Sequence, residues 1–157
     1  MQEQEVCYTK ETALEKAIEM EGKSFEVYKL AYLKAKDRRS KDLLRDFALD
    51  ELKHKYTLEK AFFEEVVLLH DTGPGEGSTM KLNLLLEEKP LDEDASVQDI
   101  MIYAIHEEKR AVDFYASMMD QCGGAPMEEM FRRLYQDEES HLARLEEFYE
   151  NAYMQAM

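Results

Sequence analysis

The stretch "RDFALDELKHKYTLE", residues 45–59, decides how this chain folds. Its composition is helical, and with its flanks one stripe runs in alternating steps of three and four: Leu44, Phe47, Glu51, His54, Leu58 and Ala61. That spacing keeps one face of a helix turned toward a core. Glu51 and His54 fall on the same stripe, so an acid and an imidazole stand where hydrocarbon belongs. Residues three apart on a helix share a face.

The same arrangement occurs again. "RRLYQDEESHLARLE", residues 132–146, aligns with the first stretch, and "AIHEEKRAVDFY", residues 104–115, aligns with "AIEMEGKSFEVY", residues 17–28. Both alignments use one offset of 87 residues, the distance from Glu21 to Glu108. It carries Asp50 to Asp137, Glu51 to Glu138 and His54 to His141. The second stripe reads Phe131, Leu134, Glu138, His141, Leu145 and Phe148. Glu21 lies between Ile18 and Phe25, and Glu108 between Ile105 and Val112. Biased helical sequences align by chance, but not selectively at acids and histidines on apolar stripes.

Outward from these stretches the chain reads as four long helices. The first spans about 12–36 and opens on Thr12 and Glu15, a capping-box pattern. Its stripe is Leu14, Ala17, Ile18, Phe25, Tyr28, Tyr32 and Ala35. The second runs from about Ser40 to His70, after the short turn "DRRS". The third begins near Ser96 and stops at "CGG", 122–124. The fourth starts at Pro126 and ends near Tyr153. Short turns make hairpins of residues 12–70 and 96–153. Residues 71–95 are long enough to travel the length of a bundle, so an all-α four-helix bundle with one long crossover is expected, a single domain over 1–157. The "LNLLL" within the crossover is expected to lie against the bundle.

The bulk numbers agree. The chain has 157 residues, 6 Gly, 3 Pro, 45% apolar and 35% charged residues. A net charge of −15 argues against nucleic acid and anionic membrane as partners. No membrane span or signal-peptide pattern is read. Cys7 and Cys122 stand alone, which fits a reducing cytoplasm.

Four carboxylates buried together lose hydration and repel one another. Four Glu and two neutral His carry charge −4, which two divalent cations cancel. Glu and His are donors suited to iron, manganese or zinc. Six donors for two metals leave positions for water, oxygen or peroxide. Glu21, Glu51, His54, Glu108, Glu138 and His141 are therefore read as metal ligands.

At these residues the chain resembles the ferritin-like di-iron proteins, and within them the rubrerythrin-like branch. "AIHEEKRAVDFY" is similar to the rubrerythrin helix pattern, while "DELKH" and "DEESH" are similar to the paired motifs of bacterioferritin. The resemblance implies that Glu51 and Glu138 bridge two iron ions. Glu21 with His54 completes one iron, and Glu108 with His141 the other. It also implies that Asp50 supports His141 and Asp137 supports His54. The chain departs from these relatives in places. Rubrerythrin's cysteine-rich rubredoxin module has no counterpart here. Ala111 occupies the position of an extra rubrerythrin Glu. Leu52 replaces the haem-binding Met of bacterioferritin, so no haem is expected. With no fifth helix read, neither is a storage cage.

Tyr28 and Tyr115 lie seven residues beyond Glu21 and Glu108. That is ~10.5 Å along the axis, too far to touch the Glu of their own helix. Two readings stand: each bonds the Glu of the facing helix, or each is a core tyrosine with a wetted hydroxyl. His106 and His70 read as solvated histidines. Met118, Met119, Met127 and Met130 read as core filler, and the surplus Glu as solvated helix face.

The functional expectation is a non-haem di-iron oxidoreductase that reduces hydrogen peroxide or reacts with oxygen. It would draw electrons from an external donor such as a rubredoxin-like protein, and the resemblance implies a homodimer. An iron-handling protein without peroxidase turnover, or a bundle merely stabilised by zinc, are the other readings.

Overall fold

A computed structural model describes residues 10–64, 77–78, 80–121 and 127–154. Helix α1 spans Lys10–Lys34 and α2 spans Arg38–Glu64. The single turn α3 covers Leu82–Leu85. Helix α4 covers Val97–Gln121, and α5 covers Met127–Tyr149 and runs on into a π-helical turn, Glu150–Met154. Among the described residues there is no strand, and no helix is long and apolar enough to cross a membrane.

Helices α1 and α2 pack as one hairpin, α4 and α5 as the other, and α1 packs on α4. The result is an all-α, ferritin-like bundle. Hairpin one is tight because Asp37 caps α2: its Oδ2 accepts from the Ser40 backbone N–H and from Ser40 Oγ, each at 2.9 Å. Ser96 caps α4, its Oγ accepting from the Asp99 N–H at 3.1 Å while Asp99 Oδ2 accepts from the Ser96 N–H at 3.2 Å.

The expected helix starts shift in two places. Helix α1 is already helical at Lys10, so Thr12 lies inside it and is not its N-cap. Helix α2 begins at Arg38 rather than Ser40, because Asp37 supplies the cap. The expected stops at His70 and at 122–124, the start at Pro126, and both cysteines lie outside the described residues.

The crossover meets its expectation on one face only. Leu82 is buried and Leu86 packs partly on the core, being four residues apart on one side of a turn. Leu84 and Leu85 stay 75% and 71% exposed. What fastens this segment is polar. Glu146 of α5 is fully buried and accepts from Ser78 Oγ and from the Leu82 N–H, the latter at 2.9 Å. His106 is half-buried, with Nε2 2.7 Å from the Leu86 carbonyl oxygen, so it is not the solvated histidine expected.

The interior has two apolar layers. One contains Leu14, Ala17, Leu58, Tyr115, Met118, Met130 and Phe131. The other contains Tyr28, Leu44, Phe47, Ile100, Ile105 and Leu145. Met118 and Met130 are buried and Met119 and Met127 pack beside them, as filler would. Between the layers lies a polar one.

Candidate metal centre

The polar layer is built by one residue pattern used twice. On α2 the run Leu44, Phe47, Glu51, His54, Leu58, Ala61 is buried throughout. On α5 so are Phe131, Leu134, Glu138, His141 and Leu145. Glu21 and Glu108 are each 1% exposed on α1 and α4. The stripes drive these faces inward, and the acids and imidazoles go with them.

They meet in two groups. One ligand atom each from Glu21, Glu51, His54 and Glu138 lie within 4.8 Å of one another, as do atoms from Glu51, Glu108, Glu138 and His141. Glu51 and Glu138 belong to both groups. The two imidazoles stack with centroids 5.8 Å apart.

The contacts cross between the halves. His54 Nδ1 lies 3.0 Å from Glu138 Oε1, and its Nε2 2.9 Å from Asp137 Oδ2. His141 Nδ1 lies 3.0 Å from Glu51 Oε1, and its Nε2 3.1 Å from Asp50 Oδ2. Tyr28 donates its hydroxyl to Glu108 Oε1 at 2.5 Å, and Tyr115 donates to Glu21 Oε1 at 2.7 Å. Of the two readings of these tyrosines, the structure therefore shows the bond to the facing helix.

Every one of the four glutamates has Oε1 engaged and Oε2 buried without a hydrogen bond, the nearest nitrogens being His54 Nδ1 at 3.6 Å from Glu21 Oε2 and His141 Nδ1 at 3.8 Å from Glu138 Oε2. A buried polar atom left unpaired costs ~1–3 kcal/mol, more if charged. Four such oxygens converging in one layer are an unfinished donor set, and hard oxygen with imidazole nitrogen suits iron, manganese or zinc. The residues present fit a pair of such ions.

Burial pushes Glu51 and Glu138 well above their ordinary range, and the neighbouring carboxylates push further. Burial opposes ionisation of Glu21 too, but Glu51 and the His54 cation beside it prevail, and it is lowered to about 2. Burial would also lower His54, but Glu21, Asp137 and Glu138 outweigh it and raise it well above its usual value. Tyr28 and Tyr115 are raised well above theirs by burial and the carboxylates, so they remain donors. Protons on Glu51, Glu138 and His54 thus offset the buried charge. Divalent cations do this more completely, since each brings two charges.

Asp50 and Asp137 hold the far nitrogen of each imidazole, which orients the ring and leaves Nδ1 facing the cluster. Asp50→Asn or Asp137→Asn is expected to weaken metal binding about 10–100-fold. Competition against a chromogenic chelator measures this, and parent-like affinity in both variants would make them ordinary polar residues.

Periodicity missed two buried acids. Glu146 clasps the crossover, as described. Glu107 is 8% exposed and pairs with Arg110 at 2.5 Å and Lys23 at 3.2 Å. The surplus Glu is therefore not all solvated face.

Two candidate donor groups sharing two carboxylates, held where a pair of helical hairpins meet, are the arrangement seen in ferritin-like helix bundles. Residues 12–149 match the family model described as Rubrerythrin, and the chain belongs to the rubrerythrin family. Comparison with curated proteins gave no match, and comparison with solved structures gave none.

Proposed function

We propose that this protein is a non-haem di-iron oxidoreductase that reduces hydrogen peroxide, or reacts with oxygen, with electrons from an external donor. The observation that carries this reading is the set of four buried Oε2 atoms without a hydrogen bond, on glutamates that fall in two donor groups with two shared members. Glu51 and Glu138 would bridge, Glu21 and His54 would complete one side, and Glu108 and His141 the other. Held by these residues, a ferrous pair would supply two-electron reduction chemistry, H2O2 + 2 e− + 2 H+ → 2 H2O, one electron per iron.

The chain's own part is placement. Asp50 and Asp137 hold the imidazoles, and Tyr28 and Tyr115 hold the outer carboxylates. Phe47, fully buried and 5.0 Å from the His141 ring, keeps water from that side. Leu52 offers no donor atom, so haem has no part in this reading. Re-reduction would need a donor such as a rubredoxin-like protein, since Cys7 and Cys122 are too few for a four-cysteine iron site.

Anaerobically purified protein is expected to take up about two irons per chain. Near-ultraviolet absorbance should then rise with added peroxide and stop at one equivalent per iron pair. Iron-loaded protein that peroxide does not oxidise would rule out the reaction. Bound zinc with no redox response would favour a stabilising metal instead.

A further inference from the structure

The two hairpins are copies in sequence, but their outer faces differ. Leu49, Leu52, Tyr56 and Phe63 on α2 are 49%, 39%, 54% and 78% exposed. The 87-residue offset carries them to Gln136, Glu139, Ala143 and Glu150, on α5 and the turn that continues it. Leu33 on α1 is exposed as well, and its counterpart on α4 is Asp120. Where hairpin two carries polar or small residues, hairpin one turns large apolar ones to water. We infer that the outer stripe of α2 is a self-association surface, on which a second copy of this chain packs through the same stripe about a two-fold axis.

Steps of three, four and seven residues keep Leu49, Leu52, Tyr56 and Phe63 on one side of the helix. The broad apolar side of α2, with Leu44, Phe47 and Leu58, is spent inside the bundle. The outer stripe is a narrower seam on the back, and the bundle makes no use of it. At ~150–250 Å² for a fully exposed large side chain, its four residues leave roughly 400 Å² open. An apolar patch of that size is large for a monomer's surface. It is also about half of the ~800 Å² that a specific interface buries on each partner. The hydrocarbon stems of Arg45, Lys53 and Lys60 flank the seam and can supply the rest.

Charge favours a second copy at this face over any other. The chain carries −15, so two copies repel unless they meet where acids are not in excess. Residues 45–63 hold four basic and four acidic side chains, whereas the copied stretch 132–150 holds three and six. A two-fold axis crossing the stripe between Leu52 and Tyr56 runs the two helices antiparallel. Leu52 of each copy then packs on the partner's Tyr56, and Arg45 lies toward the partner's Phe63. Asp46 comes within reach of the partner's Lys60. Each contact is made twice, as a closed dimer requires. The metal ligands lie on the other side of α2, so the inference is independent of the redox reading.

Sedimentation equilibrium is expected to give the parent a mass twice the chain's 18.4 kDa. A variant that gives α2 the residues of its copy carries Leu49→Gln, Leu52→Glu, Tyr56→Ala and Phe63→Glu together. It should associate about a thousandfold more weakly and run as a monomer. Its far-ultraviolet circular dichroism should match the parent's, because these side chains face water. A monomeric parent overturns the inference. So does a variant that stays dimeric, which would put the interface on another face. If the variant does not fold, zero-length carbodiimide crosslinking of the parent decides. Asp46 and Lys60 lie ~21 Å apart along their own helix, too far to be joined within one chain. An Asp46–Lys60 link in the crosslinked dimer is expected, and a crosslinked dimer without it overturns the inference.

Discussion

Replacing Glu51 and Glu138 together by glutamine is expected to abolish metal binding and at the same time stabilise the metal-free bundle. The loss should exceed the ~10–100-fold that removal of an outer partner costs, because both shared donors go at once. The gain follows from protonation. Both acids are buried and raised well above their ordinary value of 4.5, so above that value the folded state favours holding a proton on each. From 4.5 to pH 7 that uptake costs up to about 3 kcal/mol per group. Glutamine needs no proton, and its oxygen can still accept from the imidazole that now bonds each acid. Allowing for imperfect replacement, a net gain of about 3 kcal/mol raises the Tm by roughly 10 °C. Chelator-treated parent and variant, compared by thermal denaturation, measure it. A variant less stable than the metal-free parent would show that these acids hold the fold together rather than burden it.

Metal loading is expected to reverse the pH dependence of stability. In the metal-free protein, Glu51 and Glu138 have raised folded values, so their contribution is complete below about 4.5 and is lost as pH rises. His54 acts in the same sense from its ordinary 6.5 upward. Glu21, lowered to about 2, acts oppositely: its contribution is present above 4.5 and lost as pH falls toward 2. The metal-free Tm should therefore peak near pH 4 to 4.5 and decline as pH rises, by the slope that follows proton uptake. Metal binding expels those protons, so it strengthens as pH rises. At pH 8, free metal at 1,000 times Kd adds about 4 kcal/mol per site, or roughly 10 °C or more in Tm. Parallel Tm–pH curves with and without metal would contradict this account.

Much of this arrangement was legible before any coordinates. Steps of three and four place Glu51 and His54 on the face that also carries Leu44 and Leu58, and one offset brings Glu138 and His141 to the same face of α5. A helix has only one apolar side to bury, so residues on that side must meet whatever the other helices bury. That Glu21, Glu51, His54, Glu108, Glu138 and His141 share one interior follows from periodicity and packing. The capping of α2 by Asp37 was also written in the chain, in "DRRS", but a reading from the turn inward placed the start at Ser40.

Residue spacing alone sets the four inward faces, their pairing into two hairpins and the level at which the acids interrupt the hydrocarbon. What touches what within that level depends on how the helices pack. Whether Tyr28 bonded a glutamate or water depended on how α1 sits against α4, which no single helix's pattern records. Glu146 shows the limit most clearly. Its repeat partner Glu59 stays on the surface, paired with Lys55 at 3.7 Å, while Glu146 is buried under the crossover. The two positions match in sequence, but among the described residues the crossover is bonded to Glu146 and not to Glu59. Periodicity reports how a residue faces relative to its own helix; burial also depends on what the rest of the chain places over that face.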